Sequence, residues 1–139
     1  MPLSGKKILI VDDEPEITSL LVQILTMAHA KVFTAADGSR ALWMMETDKF
    51  DIIVFDLVMP VTDGIQLATV ARKEKLNPNA KYVALSGNFS ADTIKELAAL
   101  NIVNCLTKPV KAQEFVSSLC KIISPPAPQS RKLELEASV

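Results

Sequence analysis

Five short apolar runs alternate with five amphipathic stretches between Lys6 and Ile123, and this alternation narrows the fold more than any other feature of the chain. The runs are Lys6–Val11, Lys31–Ala35, Asp51–Asp56, Lys81–Leu85 and Ile102–Leu106. Most are rich in Val, Ile, Leu and Phe, as strands buried on both faces of a parallel sheet are. Parallel neighbours need crossovers, and the stretches between the runs carry helical spacing. The pattern therefore predicts an α/β protein with a five-stranded parallel sheet, doubly wound as (βα)5. Of the doubly wound strand orders, the flavodoxin-like 2-1-3-4-5 suits five strands.

The helical stretches supply their own start signals. Pro15 suits a first turn, and Asp13 is the expected N-cap before it. Ile17, Leu20, Leu21, Ile24, Leu25 and Ala28 then recur at three- and four-residue spacing, which predicts one buried face. Asp37-Gly38 reads as a turn into a helix over 39–47, with Ala41, Leu42, Trp43, Met44 and Met45 expected as packing residues. Met59-Pro60 and Asp63-Gly64 are turn signals after the third run, with Asp63 a turn or N-cap residue for a helix over 65–75. Ser90 caps a helix bearing Ile94, Leu97, Ala98 and Leu100. A last helix over 113–123 turns Phe115, Val116, Leu119, Ile122 and Ile123 inward. His29, the sole histidine, falls near the end of the first helix, where a cation suits the dipole, and is read as structural. Cys120 is read as helix packing.

With 139 residues there is enough chain for one core, assigned to 5–123, with 124–139 a Pro-rich linker or tail. A formal net charge of -1 argues against direct nucleic-acid binding, and no apolar run is long enough to span a membrane. Neither a signal-peptide pattern nor a metal-ligand cysteine spacing is present, so the reading is cytoplasmic, with Cys105 and Cys120 reduced.

Chemistry collects at the carboxyl ends of the runs, where open α/β sheets place their reactive groups. The first run ends in Asp12 and Asp13, the third in Asp56, the fourth in Ser86 and the fifth leads to Lys108-Pro109. In the expected strand order these ends share one rim. At an effective dielectric near 20, two like charges ~4 Å apart cost roughly 4 kcal/mol, so one lysine cannot offset three neighbouring carboxylates. Either their pKa values rise or a cation binds, and hard oxygen ligands with room for phosphate suit Mg²⁺. Such a rim can hold a phosphoryl group, with Asp56 as nucleophile, Lys108 neutralising charge and Ser86 donating a hydrogen bond.

From about Lys6 to Ile123 the chain resembles the CheY-like receiver domain of bacterial two-component response regulators. The resemblance rests on Asp12-Asp13, on Asp56 followed by Met59-Pro60 and Asp63-Gly64, on Ser86, and on Lys108-Pro109, in that order. It implies a phosphorylation-dependent switch in which a sensor histidine kinase phosphorylates Asp56. It further implies that Asp12, Asp13, Asp56 and the backbone carbonyl of Val58 hold Mg²⁺, and that the Lys108–Pro109 bond is cis. Ser86 would close on the phosphoryl group and alter partner binding at the face of the fourth helix, fifth strand and fifth helix. Dimerisation through that face is a family habit, and a downstream effector or effector domain would receive the signal. One departure stands out: Cys105 occupies the switch position three residues before the lysine, where the family carries an aromatic ring. Val58, two residues after Asp56, cannot orient an attacking water, so self-dephosphorylation is expected to be slow. Asn88 can supply part of that role.

Two rival classes share these residues. A phosphate-independent interaction module would not require Asp12, Asp13, Asp56, Ser86 and Lys108 together. A Mg²⁺-dependent phosphatase working through an aspartyl-phosphate would carry a second acid two residues after its nucleophile, where this chain has Val58. The switch reading assigns the chain no reaction beyond its own phosphorylation and dephosphorylation. A flavodoxin-type carrier is disfavoured by the acids after the first run, which would repel a flavin phosphate.

Overall fold

The computed structural model describes residues 2–59 and 62–124. The elements run β1 (Lys7–Val11), α1 (Pro15–Met27), β2 (Lys31–Ala35), α2 (Gly38–Thr47), β3 (Ile52–Asp56), α3 (Gly64–Lys73), β4 (Lys81–Ser86), α4 (Ala91–Ala99), β5 (Asn104–Thr107) and α5 (Ala112–Ile123). All strand pairs are parallel, and the order is β2-β1-β3-β4-β5, as the alternation predicts. β3 lies at the centre with every residue buried.

Successive strand residues point to opposite faces, so the two faces own separate cores. Leu9, Val11, Ile53, Phe55, Tyr82 and Ala84 pack with Ala41, Met45, Leu67, Ala71 and Leu97 from α2, α3 and α4. Ile8, Ile10, Ile52, Val54, Val83 and Leu85 pack with Leu21, Leu25, Phe115 and Leu119 from α1 and α5. Burying one such aliphatic side chain is worth about 1.5–3 kcal/mol, so the sheet is held from both sides.

The amino-end edge is tied by one buried amide. Asn77 accepts from the Phe50 N–H and donates to the carbonyls of Met45 and Asp48, joining the α2–β3 and α3–β4 connections. Nearby, Lys7 pairs with Asp48, whose carboxyl is held below the usual carboxylate range by the hydrogen bond from Lys7. Tyr82 donates its hydroxyl to the Leu76 carbonyl at 2.7 Å, and burial raises its pKa.

Several local expectations are corrected. Asp13 is not the N-cap of α1: the helix starts at Pro15, so Glu14 takes that position, and its side chain makes no capping bond. Leu20 and Ile94 lie on the periodic faces of α1 and α4 yet are exposed, because the sheet covers only part of each stripe. Trp43 is 53% exposed rather than packed, with the Arg40 guanidinium stacked 4.6 Å from its ring. On α5 only Phe115 and Leu119 are fully buried, while Val116, Ile122 and Ile123 flank the core. β5 begins at Asn104 rather than Ile102, because Asn101 takes a left-handed turn (φ 60°) that the Ile102 N–H closes onto Leu97. α2 begins at Gly38, with Asp37 accepting from the Arg40 N–H as its cap, and α3 spans Gly64–Lys73, its start set by a full capping box between Asp63 and Gln66. His29 sits just beyond α1 with φ 66°. Pro60, and the tail reading from Pro125 onward, lie outside the described residues.

Candidate functional site

Asp56 is the last residue of β3, and the chain turns at once into the loop before α3. Gly64 makes that turn compact: a Cβ there would collide with the Asp56 carbonyl oxygen and come within 2.7 Å of the Leu57 Cα. The Gly64 N–H instead donates to the Leu57 carbonyl at 3.0 Å. The carboxylate of Asp56 is thereby delivered at the rim while remaining buried. Its Oδ1 accepts from the Val58 N–H at 3.0 Å, and its Oδ2 accepts from Lys108 Nζ at 2.7 Å. The Val58 side chain itself is 74% exposed.

Asp12 follows β1, with its N–H bonded to the Ala35 carbonyl at the end of β2. Its Oδ1 accepts from the Glu14 N–H at 3.0 Å. Lys108 Nζ also lies 3.2 Å from Asp12 Oδ2 and 3.2 Å from Glu14 Oε1. The contact to Asp12 is an ion pair without hydrogen-bond alignment, so Asp12 Oδ2 is a buried oxygen with no hydrogen-bond partner. Burial raises the Asp12 pKa, with the neighbouring Asp56 charge adding to it, against the Glu14 N–H and Lys108. Burial also opposes the charge on Lys108, but the hydrogen bond to Asp56 and the charges of Asp12 and Asp56 outweigh it and hold the ammonium above the ordinary lysine range.

One carboxylate oxygen from each of Asp12, Asp13, Glu14 and Asp56 can be chosen so that all lie within 4.8 Å of one another. Hard oxygen donors at this density, one of them buried without a hydrogen bond, fit a small divalent cation better than they fit each other. The set extends the sequence-derived one by Glu14. Its signal was its place in the Asp12-Asp13-Glu14 run, which also reads as acid at a helix start.

Ser86 closes β4, and its carbonyl accepts from the Lys108 N–H at 2.8 Å, which ties the two rim segments together. The Lys108–Pro109 peptide is cis. The Ser86 hydroxyl is engaged locally: it donates to the Asn88 carbonyl at 3.0 Å and accepts from the Asn88 N–H at 3.3 Å. Cys105 pairs in register with Ala84 and packs at the edge of the α2/α3/α4 core, where burial raises its thiol pKa. The structure thus gathers Asp12, Asp13, Asp56 and Lys108, leaves the Ser86 hydroxyl on its own loop, and sets Cys105 in the packing behind β4.

Known proteins share this arrangement. A family model described as the response regulator receiver domain matches residues 8–120. The transcriptional regulatory protein PhoP of Bacillus subtilis is 34% identical over 141 residues, covering 97% of this chain and 58% of PhoP. CpxR of Escherichia coli is 32% identical over 117 residues, covering 84% of this chain and 49% of CpxR. The chain spans about half the length of the curated relatives it matches. The structure of chemotaxis protein CheY4 of Vibrio cholerae superposes with a TM-score of 0.81 at 28% identity, covering 86% of this chain and 99% of CheY4. The receiver domain of sensor histidine kinase PA1611 from Pseudomonas aeruginosa, solved with a magnesium ion coordinated in its active-site cleft, superposes at 0.77 with 26% identity, covering 86% of this chain and 98% of that one.

Proposed function

This chain belongs to the response regulator receiver domain family, and on that premise we propose that Asp56 is its phosphoacceptor in a phosphorylation-dependent signalling switch. The observation that carries the reading is the setting of Asp56: a buried carboxylate bonded to Lys108 at 2.7 Å and clustered with three further acids. The donor is a phosphohistidine of a sensor kinase. An Asp56 oxygen attacks phosphorus, the P–O bond forms as the P–N bond breaks, and the proton needed by the departing imidazole comes from its own surroundings.

Asp12, Asp13, Asp56 and the Val58 carbonyl would hold Mg²⁺, and the buried Asp12 Oδ2, which accepts no hydrogen bond and meets only the Lys108 ammonium, supports that assignment. When bound, the cation neutralises charge on the transferring phosphoryl oxygens. Lys108 neutralises the remainder. Ser86 exchanges its bonds to Asn88 for one to the phosphoryl group, which draws the β4–α4 loop toward the site. Because Cys105 offers no ring to rotate, the signal travels through that loop and the surface of α4, β5 and α5 to an effector, or to a second copy of this domain. The chain acts on no diffusible substrate beyond its own phosphorylation and dephosphorylation. Residues 5–123 act as the working unit, 124–139 as linker or tail, and the setting is the cytoplasm. Among the described residues no helix is long and apolar enough to cross a membrane.

Intact-protein mass after incubation with a small-molecule phosphodonor tests the reading. One added phosphoryl group, dependent on Mg²⁺ and absent in Asp56→Asn, is the expected result. No gain under any condition would favour the phosphate-independent module, and steady release of phosphate at enzyme-like rates would favour the phosphatase.

A further inference from the structure

α4 is attached unequally at its two ends. Its carboxyl end is held by α3: the Arg72 guanidinium donates from Nε to the Leu100 carbonyl at 2.8 Å and from Nη2 to the Asn101 carbonyl at 3.4 Å. The same guanidinium stacks 4.3 Å from the ring of Tyr82 in β4, so this anchor is fixed to the sheet. Between the ends, Leu97 is the one fully buried residue of the helix.

The amino end has no such tie. Among the described residues, 87–89 make no backbone–backbone hydrogen bond to another segment. A Cβ added at Gly87 would meet nothing within 4 Å. Two side chains hold this loop. The Ser86 hydroxyl bonds both backbone groups of Asn88, at 3.0 and 3.3 Å. Phe89, next in the chain, is partly buried and packs against the α2/α3/α4 core, to which Leu97 belongs. Ser90 then caps α4, its hydroxyl accepting from the Thr93 N–H at 3.1 Å.

Ser86, Asn88, Phe89 and Ser90 form one short line from the rim to the first turn of α4. A polar latch stands at one end of it and a helix cap at the other. Gly87, Asn88 and Ser90 are exposed, so the phenyl ring is the part of the loop that grips the interior. Phe89 and Ile94 also occupy the positions just before the cap and four residues after it, where a hydrophobic pair sets the angle at which a chain enters its helix. Once the hydroxyl leaves Asn88, the seat of this ring decides how α4 begins.

We propose that Phe89 is a positioning residue that turns a movement of Ser86 into a change at the amino end of α4, while Arg72 keeps the carboxyl end still. The proposal rests on the phosphoacceptor reading given above, in which the Ser86 hydroxyl exchanges Asn88 for the phosphoryl group. A ring seated in a packed core shifts between discrete arrangements, which suits it to carry a two-state signal.

Residue-resolved amide exchange before and after phosphorylation by a small-molecule donor with Mg²⁺ tests this on wild type, Phe89→Ala and Phe89→Leu, with intact mass recording uptake. In wild type, exchange should change at Thr93 and Ile94, whose N–H groups are held by Ser90, and stay constant at Leu100, Asn101 and Ile102. Phe89→Ala should take up phosphate as wild type does and lose the response at Thr93 and Ile94. Phe89→Leu keeps apolar bulk and should retain it. A wild-type response at the carboxyl end, or none, would overturn the proposal whether or not the alanine variant folds. A phosphorylation-dependent change that survives in Phe89→Ala would also overturn it, even with faster exchange in both forms, because the ring would then only pack. Absence of phosphoryl uptake by wild type, read by mass, would overturn the Asp56 reading and the proposal with it.

Discussion

Lys108 Nζ stands 2.7 Å from Asp56 Oδ2, joining the loop after β5 to the end of β3 across 52 residues of sequence. This ammonium pairs with Asp12 and Glu14 as well as Asp56, and most of its side chain is buried. Replacing it by alanine leaves buried carboxylates uncompensated, which costs about 3–5 kcal/mol when one partner of a buried pair is removed. We expect Lys108→Ala to lower thermal stability at neutral pH in the absence of Mg²⁺, and Mg²⁺ to restore most of the loss. The same variant should take up phosphate from a small donor far more slowly than wild type, read by intact mass.

Asp12 makes the opposite prediction. Its folded-state pKa is raised, mainly by burial, so the folded protein holds the Asp12 proton more tightly than the unfolded chain does. The stability tied to that proton is fully present below the ordinary Asp value of about 3.9 and is lost as pH rises through the raised folded value. At neutral pH without Mg²⁺ the burial of this carboxyl therefore costs stability, and Asp12→Asn should raise the melting temperature there. The difference should shrink on acidification and be accompanied by loss of Mg²⁺ binding, both measurable by thermal denaturation across pH.

Gly64→Ala should be costly out of proportion to its size. The added methyl has no free space against the Asp56 carbonyl and the Leu57 Cα, and both are backbone atoms that cannot swing aside. Overpacking of this kind costs about 1–3 kcal/mol. Urea denaturation should show that loss, and Lys108 should lose its alignment with Asp56, seen as slower phosphorylation of the fraction that remains folded.

Tyr82, the sole tyrosine, should titrate above the ordinary range because burial disfavours its charged form, while the Arg72 guanidinium, 4.3 Å from its ring, opposes that shift. Its contribution to stability is complete below the unfolded tyrosine value of about 10 and is lost as pH rises through the higher folded value. Tyrosinate absorbance should therefore appear together with unfolding in the alkaline limb. Tyr82→Phe, which leaves the Leu76 carbonyl without its donor, should cost about 1–3 kcal/mol at neutral pH.

Val58 is exposed beside Asp56 and has no polar atom with which to orient a water. Val58→Asn should shorten the lifetime of the phosphorylated protein, followed by mass or by phosphate release. It should leave folding stability within about 0.5 kcal/mol, as surface changes do. An unchanged lifetime would exclude this position as the brake on dephosphorylation.

The architecture was legible because each strand ends within one residue of where its apolar run ends, and period and order then fix the sheet. The same endings exposed Asp12, Asp13, Asp56 and Lys108 as neighbours, since parallel strands deliver all their carboxyl ends to one rim. Glu14 was harder to read, because an acid opening a helix looks like a dipole partner, and only three-dimensional reach reveals Lys108 beside it. Leu20, Ile94 and Trp43 misled for a different reason. Helical spacing defines a face, but the width of the sheet decides how much of that face is covered. Asn77 gave no sequence signal beyond a helix stop, since its three bonds go to backbone groups from a distant connection.

Trp43 lies outside the core against Arg40, while the phenol of Tyr82 lies within it. The two rings that give this protein its near-ultraviolet signature therefore watch different places. The lone tryptophan, half exposed, is placed to report what settles on α2, whereas the phenol is placed to report whether the interior is intact. A fluorescence trace and an absorbance trace of the same sample are, for this molecule, two separate experiments.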